Sequence, residues 1–317
     1  MTRIAVLDDY AQVAAASADW DALDAEVVFF ADHPADEDAL AERLAGFDVL
    51  CLMRERTALP ASLITRLPAL RLVVTTGMRN ASVDQRALAA RGIPFAGTGG
   101  VSFATAELTW GLILALLRHL PAEAAAMRAG GWQTTVGREL RGRTLGILGL
   151  GNLGAAVAQV GLAFGCEVVA WSENLADERA AEVGVRRVER EELFRTSDIL
   201  SIHLILSRRT RGLVGADELG LMRQGAVLVN TSRGPIVDEA ALVAALRSRR
   251  IAGAALDVFD TEPLPAHHVL RTLDNVVLTP HLGYVTEETF RDFYPQTVED
   301  IAAWMAGDPI RLIDPPH

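Results

Sequence analysis

The sequence contains no lysine, because all thirty of its basic residues are arginine. This absence excludes Schiff-base catalysis, pyridoxal-phosphate anchoring and the P-loop motif, since each of them needs a lysine amine. A fixed cation in any site must therefore be a guanidinium, whose planar fork suits carboxylate and phosphate groups.

Cysteine is almost as scarce, and no apolar run is long enough to span a membrane. Cys51 and Cys166 are the two cysteines, and neither belongs to a CxxC pair. This usage indicates a reducing compartment and predicts neither disulfides nor a metal site. The most apolar stretch, "FATAELTWGLILALL", is too short for a span and contains Glu107, so it predicts a buried or interface helix.

Charge and length narrow the class further. The formal net charge of −11 disfavours nucleic acid and acidic membranes as partners, and we predict neither. The N-terminal "MTRIAVLDDY" enters a strand with no apolar signal region, which predicts a cytoplasmic protein. A chain of 317 residues, half of them apolar, predicts two globular domains.

Short apolar runs alternate with helical patterns in two successive series. The first predicts strands in "RIAVLDD", "EVVFFAD", "DVLCLM", "RLVVTTG" and "GIPFAGT". Ser102 then caps a predicted helix that runs to His119 and stops before Pro121. The second series starts at Thr144 and predicts strands in "TLGILGL", "CEVVAW", "DILSIHLIL", "AVLVNTS", "GAALDVF" and "NVVLTPH". Alternation of this kind predicts an α/β protein with parallel sheets, and the last thirty residues are predicted to be helical.

The stretch "TLGILGLGNLG" predicts a dinucleotide-binding loop. Gly149, Gly151 and Gly154 have the GxGxxG spacing, after a predicted strand and at the start of a predicted helix. In that context the glycines allow a tight turn, close approach to pyrophosphate and close packing of the helix on the sheet. The alternative is an ordinary glycine-rich turn. The ribose reader is expected at the next strand end, where Glu173 favours NAD by repelling a 2′-phosphate and Ser172 leaves NADP open. The alternative interpretation of Glu173 is a solvated loop acid.

Three chemically active side chains follow strands of the second series. Arg233 follows "AVLVNTS", Glu262 follows "GAALDVF" and His281 follows "NVVLTP". Considered separately, each could be an ordinary loop or packing residue with no catalytic role. Because ligands bind at the carboxyl ends of parallel strands, together they predict a carbonyl-reducing site. Arg233 would bind a carboxylate, and Glu262 would stabilise protonated His281, which would donate a proton to a carbonyl oxygen.

The combined motifs resemble the D-isomer-specific 2-hydroxyacid dehydrogenases over almost the whole chain. The similar blocks are "GILGLGNLG", "HLILSRRTRGLVG", "VLVNTSRGPIVDEAALVAAL", "GAALDVFDTEPLP" and "NVVLTPHLGYVTEET". The resemblance implies two Rossmann-like domains with the site in the cleft between them. A flavodoxin-like substrate domain would comprise residues 1–98 and 285–317. A dinucleotide-binding domain would comprise residues 99–284 and would supply the helix for a homodimer.

The resemblance also implies roles for individual positions. Arg233 orients a 2-oxoacid, Glu262 tunes the histidine, His281 is the acid/base and Asp257 contacts the nicotinamide carboxamide. The remaining cofactor positions of the family correspond to Asn152, Leu153, His203 and Thr231.

The first domain contains the implied substrate positions. "VTTGMRNASVD" resembles the loop whose backbone amides hold a substrate carboxylate, and Arg54 matches a second substrate-side loop. The loop places Thr76, Gly77, Met78, Arg79 and Asn80 near substrate. Three features depart from the family pattern: "MRN" replaces a plainer glycine-rich turn, Tyr284 replaces a small residue, and Ile205 replaces a proline near the adenine. Arg79 either binds a second acidic group or faces solvent.

We therefore expect an NAD(P)-dependent oxidoreductase of small 2-oxoacids or D-2-hydroxyacids, similar to glyoxylate and hydroxypyruvate reductases. The alternative is a non-catalytic dinucleotide-sensing scaffold or corepressor on the same fold. A phosphoglycerate-type enzyme is a third interpretation, and the short chain would restrict it to a form without a regulatory domain. The sequence leaves the substrate, the direction and the choice between NAD and NADP open.

Overall fold

The computed structural model describes residues 1–100 and 103–315. The chain divides into two compact units. Unit 1 comprises Met1–Ser102 with Thr286–His317, and unit 2 comprises Phe103–Val285. The predicted cap Ser102 lies outside the described residues, so its role stays a prediction. The assignment of substrate to one unit and dinucleotide to the other also stays a prediction.

Unit 1 is built on a five-stranded parallel sheet. Its strands are β1 (Thr2–Val6), β2 (Ala25–Phe29), β3 (Val49–Leu52), β4 (Leu72–Thr75) and β5 (Phe95–Gly97). The order β2-β1-β3-β4-β5 is that of flavodoxin-like folds, in which ligands bind where the winding reverses, between β1 and β3. Strands β3 and β4 are buried along their whole length, as expected for strands covered on both faces.

Short helices cover this sheet, and two of them begin at an aspartate whose side chain caps the helix. They are α1 (Ala14–Ser17), α2 (Glu37–Leu44), α3 (Ala61–Thr65) and α4 (Gln85–Ala90). The Asp36 side chain accepts a hydrogen bond from the Ala39 amide at the start of α2, and Asp84 does the same for Ala87 in α4. These carboxylates satisfy amides that have no partner within the helix and favour its N-terminus electrostatically.

Unit 2 is built on a seven-stranded parallel sheet. Its strands are β6 (Thr144–Leu148), β7 (Glu167–Trp171), β8 (Arg186–Arg187), β9 (Ile199–Ile202), β10 (Val227–Asn230), β11 (Gly253–Leu256) and β12 (Val276–Leu278). The order β12-β11-β10-β9-β6-β7-β8 is the Rossmann order extended by one strand. Strand β8 was not predicted, because its two exposed arginines at the sheet edge have no apolar pattern.

The helices of unit 2 surround this sheet. They are α5 (Ala104–Leu117), α6 (Leu120–Arg128), α7 (Asn152–Ala163), α8 (Asp177–Val183), α9 (Arg190–Thr196), α10 (Ala216–Leu221) and α11 (Glu239–Arg247). Helix α5 packs against α7 and against β10, β11 and β12. His119 adopts a left-handed backbone with φ of 52°, which ends α5 near the predicted position. Pro121 then lies in the first turn of α6, where proline is tolerated, and this helix was not predicted.

After unit 2 the chain returns to unit 1 as α12 (Glu287–Met305), which packs against α1, β4 and β5. Arg311 then binds the buried Asp300 carboxylate of α12 at 2.8 Å. Leu312 forms an antiparallel bridge with Ala96 in β5. The C-terminal segment is therefore attached to both the last helix and the edge of the sheet.

The predicted fold class, α/β with two parallel sheets of Rossmann type, is confirmed. The cores consist mainly of buried Leu, Val, Ile and Ala side chains of the strands and the helices against them. Within residues 1–100 and 103–315, no helix combines the length and the apolarity needed to cross a membrane.

Candidate active site

The glycine loop between β6 and α7 has the shape that a bound pyrophosphate needs. Gly149 has φ of +106°, a backbone conformation that residues other than glycine rarely adopt. A Cβ at Gly154 would collide with the Gly149 carbonyl oxygen, so only glycine allows this packing of α7. A Cβ at Gly151 would meet nothing within 4 Å, which leaves open space beside the start of α7. Asn152 and Leu153 form the first helical positions, so their amides belong to the helix N-terminus. The loop therefore fits a dinucleotide.

The two predicted ribose contacts after β7, Ser172 and Glu173, have different surroundings. The Ser172 hydroxyl accepts a hydrogen bond from the Leu150 amide at 2.9 Å, so it stabilises the glycine loop. Glu173 is exposed and remains the acidic group at this strand end.

His203 lies at the end of β9, and its carbonyl oxygen lies close to Gly149, 2.6 Å from where a Cβ at that glycine would stand. Its Nε2 is 2.8 Å from the Ser201 hydroxyl, and its buried Nδ1 has no hydrogen-bond partner among the described residues. Burial lowers the pKa of His203 to about 4, so the ring is neutral near pH 7. A polar atom without a partner beside the glycine loop is consistent with a ligand contact there.

Glu262 and His281 form a close pair at the ends of β11 and β12. The Nδ1 atom of His281 is 2.5 Å from Glu262 Oε2, and the two side chains are 15% and 24% exposed. The other carboxylate oxygen accepts a hydrogen bond from the Phe259 amide at 2.9 Å. Burial acts to raise the pKa of Glu262, but the hydrogen bond and charge of His281, the Phe259 amide and the charge of Arg233 outweigh it. The pKa of Glu262 is therefore lowered, and the carboxylate stays ionised.

The backbone of His281 has φ of +55°, which is uncommon for a residue other than glycine. Asp257 holds this conformation from the neighbouring strand end. Its carbonyl oxygen accepts from the His281 amide at 2.8 Å, and its carboxylate accepts from the Leu282 and Gly283 amides at 2.7 and 2.9 Å. Thr279 also donates its hydroxyl to Asp257 at 2.6 Å. Asp257 thus organises the His281 loop, and its contact with a nicotinamide carboxamide stays a prediction.

Arg233 follows β10, the strand beside β11. The Asn230 side chain donates to the Arg233 carbonyl at 3.0 Å, and Arg233 Nη1 donates to the Ser232 carbonyl at 2.7 Å. A Cβ at Gly234 would collide with the Phe259 backbone, so glycine lets this loop lie directly against the loop that leads to Glu262. The structure thus brings Arg233, Glu262 and His281 to one edge of the sheet of unit 2.

Tyr284 also lies beside the histidine. The centroids of the Tyr284 and His281 rings are 5.6 Å apart with an interplanar angle of 72°, an edge-to-face arrangement. A bulky ring therefore occupies space next to His281, at the position where the family resemblance implies a small residue.

The predicted substrate residues of unit 1 come together at the ends of β3 and β4. The Arg54 amide donates to Thr76 Oγ1 at 3.0 Å, and the Asn80 side chain donates to the Arg54 carbonyl at 2.6 Å. A Cβ at Gly77 would collide with the Arg54 guanidinium, and the Gly77 amide donates to Thr98 Oγ1 at 2.9 Å. One of the loop amides expected to hold a carboxylate therefore already has a partner. Met78 and Arg79 are exposed on this loop.

A second carboxylate–histidine pair, in unit 1, was not predicted from the sequence. Asp8 follows β1 and is buried, with φ of 59°. Its carboxylate is 3.2 Å from His33 Nδ1 and accepts hydroxyl groups of Thr57 at 2.7 Å and Tyr10 at 3.2 Å. The sequence shows that Asp8 lies close after a strand, but it does not show that His33 and Thr57, on two other loops, contact it.

Comparisons with known proteins show the family of this chain. The family model for the "D-isomer specific 2-hydroxyacid dehydrogenase, NAD binding domain" matches residues 110–283. The glyoxylate reductase of Aeropyrum pernix is 40% identical over 87% of this chain and 85% of its own length. The chain belongs to the D-isomer-specific 2-hydroxyacid dehydrogenases. It is therefore an oxidoreductase that uses a nicotinamide dinucleotide.

Other relatives of this dehydrogenase have several activities. The hydroxypyruvate reductase of Thermotoga maritima is 34% identical over 84% of this chain and 87% of its own length. The crystal structure of a phosphoglycerate oxidoreductase from Vibrio cholerae has a TM-score of 0.91 and 36% identity, with 97% of this chain and 100% of that chain covered. The chain spans about half the length of the D-3-phosphoglycerate dehydrogenases that it also matches.

Proposed function

We propose that this dehydrogenase reduces a small 2-oxoacid, of the glyoxylate or hydroxypyruvate type, with NADH. The observation that carries the proposal is the 2.5 Å contact between Glu262 and His281 Nδ1 at the strand end beside Arg233. When bound, the reduced nicotinamide supplies the hydride. The protein supplies a cation for the carboxylate, a proton for the 2-oxo oxygen and a pocket that orients both.

Each residue of the site has a proposed role in the proton transfer. Because His281 Nδ1 is committed to Glu262, Nε2 is the nitrogen that donates a proton to the 2-oxo oxygen. Glu262 stabilises the imidazolium before the transfer. Arg233 presents a permanent, planar cation that suits the substrate carboxylate. In the reverse direction, neutral His281 accepts the proton of the 2-hydroxyl group.

The size of Tyr284 supports a small substrate. Its ring lies edge-on to His281 with the centroids 5.6 Å apart, so it takes up volume beside the proton donor. We expect Tyr284→Ala to improve kcat/KM for bulkier 2-oxoacids relative to glyoxylate by roughly tenfold, since each methylene accommodated contributes about 1–3 kcal/mol. An unchanged ranking of substrates would contradict this role of Tyr284.

Glu173 supports NAD as the cofactor. It is an exposed acid at the strand end where the ribose is expected, and Ser172 is already bonded to Leu150. A carboxylate near a 2′-phosphate would repel it. Glu173→Gln should therefore raise kcat/KM with NADPH relative to NADH by roughly tenfold, measured with one saturating 2-oxoacid.

Exposed apolar side chains of unit 2 support a homodimer. Phe103, Met127, Trp132 and Val136, all within one stretch of sequence, are 70%, 58%, 74% and 90% exposed. Large exposed apolar side chains are typical of interaction surfaces when they are covered by a partner. The double variant Trp132→Asp, Val136→Asp should sediment as a monomer if these side chains lie between two copies. A cytoplasmic location stays a prediction of the sequence.

Steady-state oxidation of NADH and NADPH with a panel of 2-oxoacids tests the proposed function. The panel should contain glyoxylate, hydroxypyruvate, pyruvate, 2-oxoisocaproate and 2-oxoglutarate. We expect glyoxylate or hydroxypyruvate with NADH to have the highest kcat/KM. Absence of turnover with every pair would overturn the proposed activity.

A further inference from the structure

Helix α5 carries two threonines, one turn apart, that contact the two loops of the candidate site. Thr105 donates its hydroxyl to the Gly283 carbonyl, in the His281 loop, at 2.7 Å. The Thr109 hydroxyl is 2.8 Å from the hydroxyl of Thr231, two positions before Arg233. Thr109 also donates to the Thr105 carbonyl at 2.7 Å, so Thr231 must be the donor in the threonine pair.

The contact with Thr105 leaves no spare room in the His281 loop. A Cβ at Gly283 would lie 3.1 Å from Thr105 Oγ1 and 3.3 Å from Asp257 Oδ2. Gly283 is therefore held from two sides, by the Asp257 carboxylate and by the Thr105 hydroxyl. These contacts keep His281 in its left-handed conformation, which is unfavourable for a residue other than glycine.

Helix α5 is well suited to fix one loop relative to the other. It packs against β10, β11 and β12, the strands that precede the loops of Arg233, Glu262 and His281. Thr109 is fully buried and Thr231 is 6% exposed. Two residues that are four positions apart in a packed helix are separated by a set distance, about 6 Å along the axis.

We propose that Thr105 and Thr109 are positioning residues, through which α5 sets the place of the proton donor relative to the carboxylate-binding arginine. This inference rests on the proposed function. Thr105 acts on the His281 loop, so its loss affects the chemical step. Thr109 acts through Thr231 on the Arg233 loop, so its loss affects substrate binding.

Isosteric valine variants test this division of roles, and serine variants restore the hydroxyl. We expect Thr105→Val to lower kcat by roughly tenfold to a hundredfold with KM little changed, since small misplacements of reacting groups are costly. We expect Thr109→Val to raise KM for the 2-oxoacid by roughly tenfold with a smaller change in kcat. Thr105→Ser and Thr109→Ser should recover most of each loss.

Thr297→Val is the matched control. Thr297 is also a buried helical threonine, and it donates to the Phe293 carbonyl four residues earlier at 2.9 Å, as Thr109 does to Thr105. The control should show wild-type kcat and KM. If both α5 valine variants also show wild-type kcat and KM, or if the serine variants fail to restore them, the positioning role is wrong.

A measurement without turnover separates this inference from the proposed activity. The imidazole C–H signal of His281, assigned in the NMR spectrum by its loss in His281→Asn, reports the position of the ring. We expect it to shift in Thr105→Val, to return in Thr105→Ser and to stay unchanged in Thr297→Val. An unshifted signal in Thr105→Val overturns the inference, whereas absence of wild-type turnover with a shifted signal overturns only the proposed function.

Discussion

Each unit holds a carboxylate–histidine pair at a strand end, and the two pairs differ in what else the carboxylate binds. In unit 1, Asp8 shares its oxygens among His33, Thr57 and Tyr10, and joins loops that follow β1, β2 and β3. In unit 2, Glu262 makes a 2.5 Å contact with His281, and its other oxygen accepts one backbone amide. A shared carboxylate ties loops together, whereas one devoted to a histidine can stabilise the charge that the histidine gains.

The two pairs also differ in which residue has a left-handed backbone conformation. In unit 1 the left-handed residue is the carboxylate, Asp8, with φ of 59°. In unit 2 it is the histidine, His281, with φ of 55°. Unfavourable backbone conformations persist where the surroundings enforce them, often at functional groups. The hydrogen-bond partners of Asp8 favour a structural role for the pair in unit 1, and the single histidine partner of Glu262 agrees with the proton transfer proposed for the pair in unit 2.

Replacement of each histidine should separate the pairs most strongly. We expect His281→Asn to lower kcat by roughly a hundredfold to ten-thousandfold, because the general acid is lost. His33→Asn should leave kcat within about twofold, because a neighbouring loop contact contributes little to the chemical step. Steady-state kinetics at saturating 2-oxoacid and NADH measure both. Equal losses in the two variants would erase the distinction.

Replacement of the carboxylates should lower stability more in unit 1 than in unit 2, the reverse of the order that the histidine variants give for kcat. Asp8→Asn removes a buried acceptor of several hydrogen bonds and should cost about 2 kcal/mol, seen as a lower Tm. Glu262→Gln should lower kcat at least roughly tenfold, because the imidazolium loses its partner. Thermal melting and kinetics on the same preparations provide the two readouts. A stable Asp8→Asn protein with impaired kcat would reverse the assignment.

The pH dependence of stability should also differ in sign. The pKa of His33 is raised, chiefly by its hydrogen bond with Asp8, so this pair stabilises unit 1 fully below about pH 6.5 and less as pH rises. The pKa of Glu262 is lowered, so this pair stabilises unit 2 fully above about pH 4.3, and the stabilisation is lost as pH falls through the lowered pKa. The Tm difference between wild type and His33→Asn should shrink on the alkaline side, and that for Glu262→Gln on the acidic side. Two parallel pH curves would contradict the opposite signs expected for the two pairs.

The smallest expected effect concerns the outer contact of the unit 1 pair. Tyr10 is 41% exposed and donates to Asp8 at 3.2 Å. Tyr10→Phe should therefore lower the free energy of unfolding by about 0.5 kcal/mol or less, because water replaces much of the lost bond. Denaturant unfolding monitored in both proteins measures the difference. A loss as large as that of Asp8→Asn would mean that Tyr10 is a main partner of the carboxylate.

The strands and the glycine loop were predictable from the sequence because their determinants are local. Continuous apolar runs predict buried parallel strands, and Gly149 and Gly154 meet steric demands of one turn. Arg233, Glu262 and His281 could be grouped because parallel strands end at a common edge. Strand β8 and helix α6 were missed, since one has two exposed arginines and the other has a proline in its first turn.

The contacts that organise the candidate site could not be predicted from the sequence. Thr105 and Gly283 are 178 positions apart, and Asp8 and Thr57 are 49 apart. No periodicity relates such residues, because their contact depends on how helices pack on sheets. The same limit applies to Asp257, for which the family resemblance implies only a cofactor contact. Its hydrogen bonds to the amides of Leu282 and Gly283 could be seen only in the structure.

The most direct test of the central claim is the single-turnover rate of NADH oxidation by His281→Asn. Stopped-flow mixing of the NADH-bound enzyme with the 2-oxoacid preferred by wild type isolates the chemical step, and NADH fluorescence gives the Kd beforehand. We predict a Kd for NADH within about twofold of wild type and a single-turnover rate at least about a hundredfold lower. A rate within about twofold of wild type would show that His281 does not supply the proton.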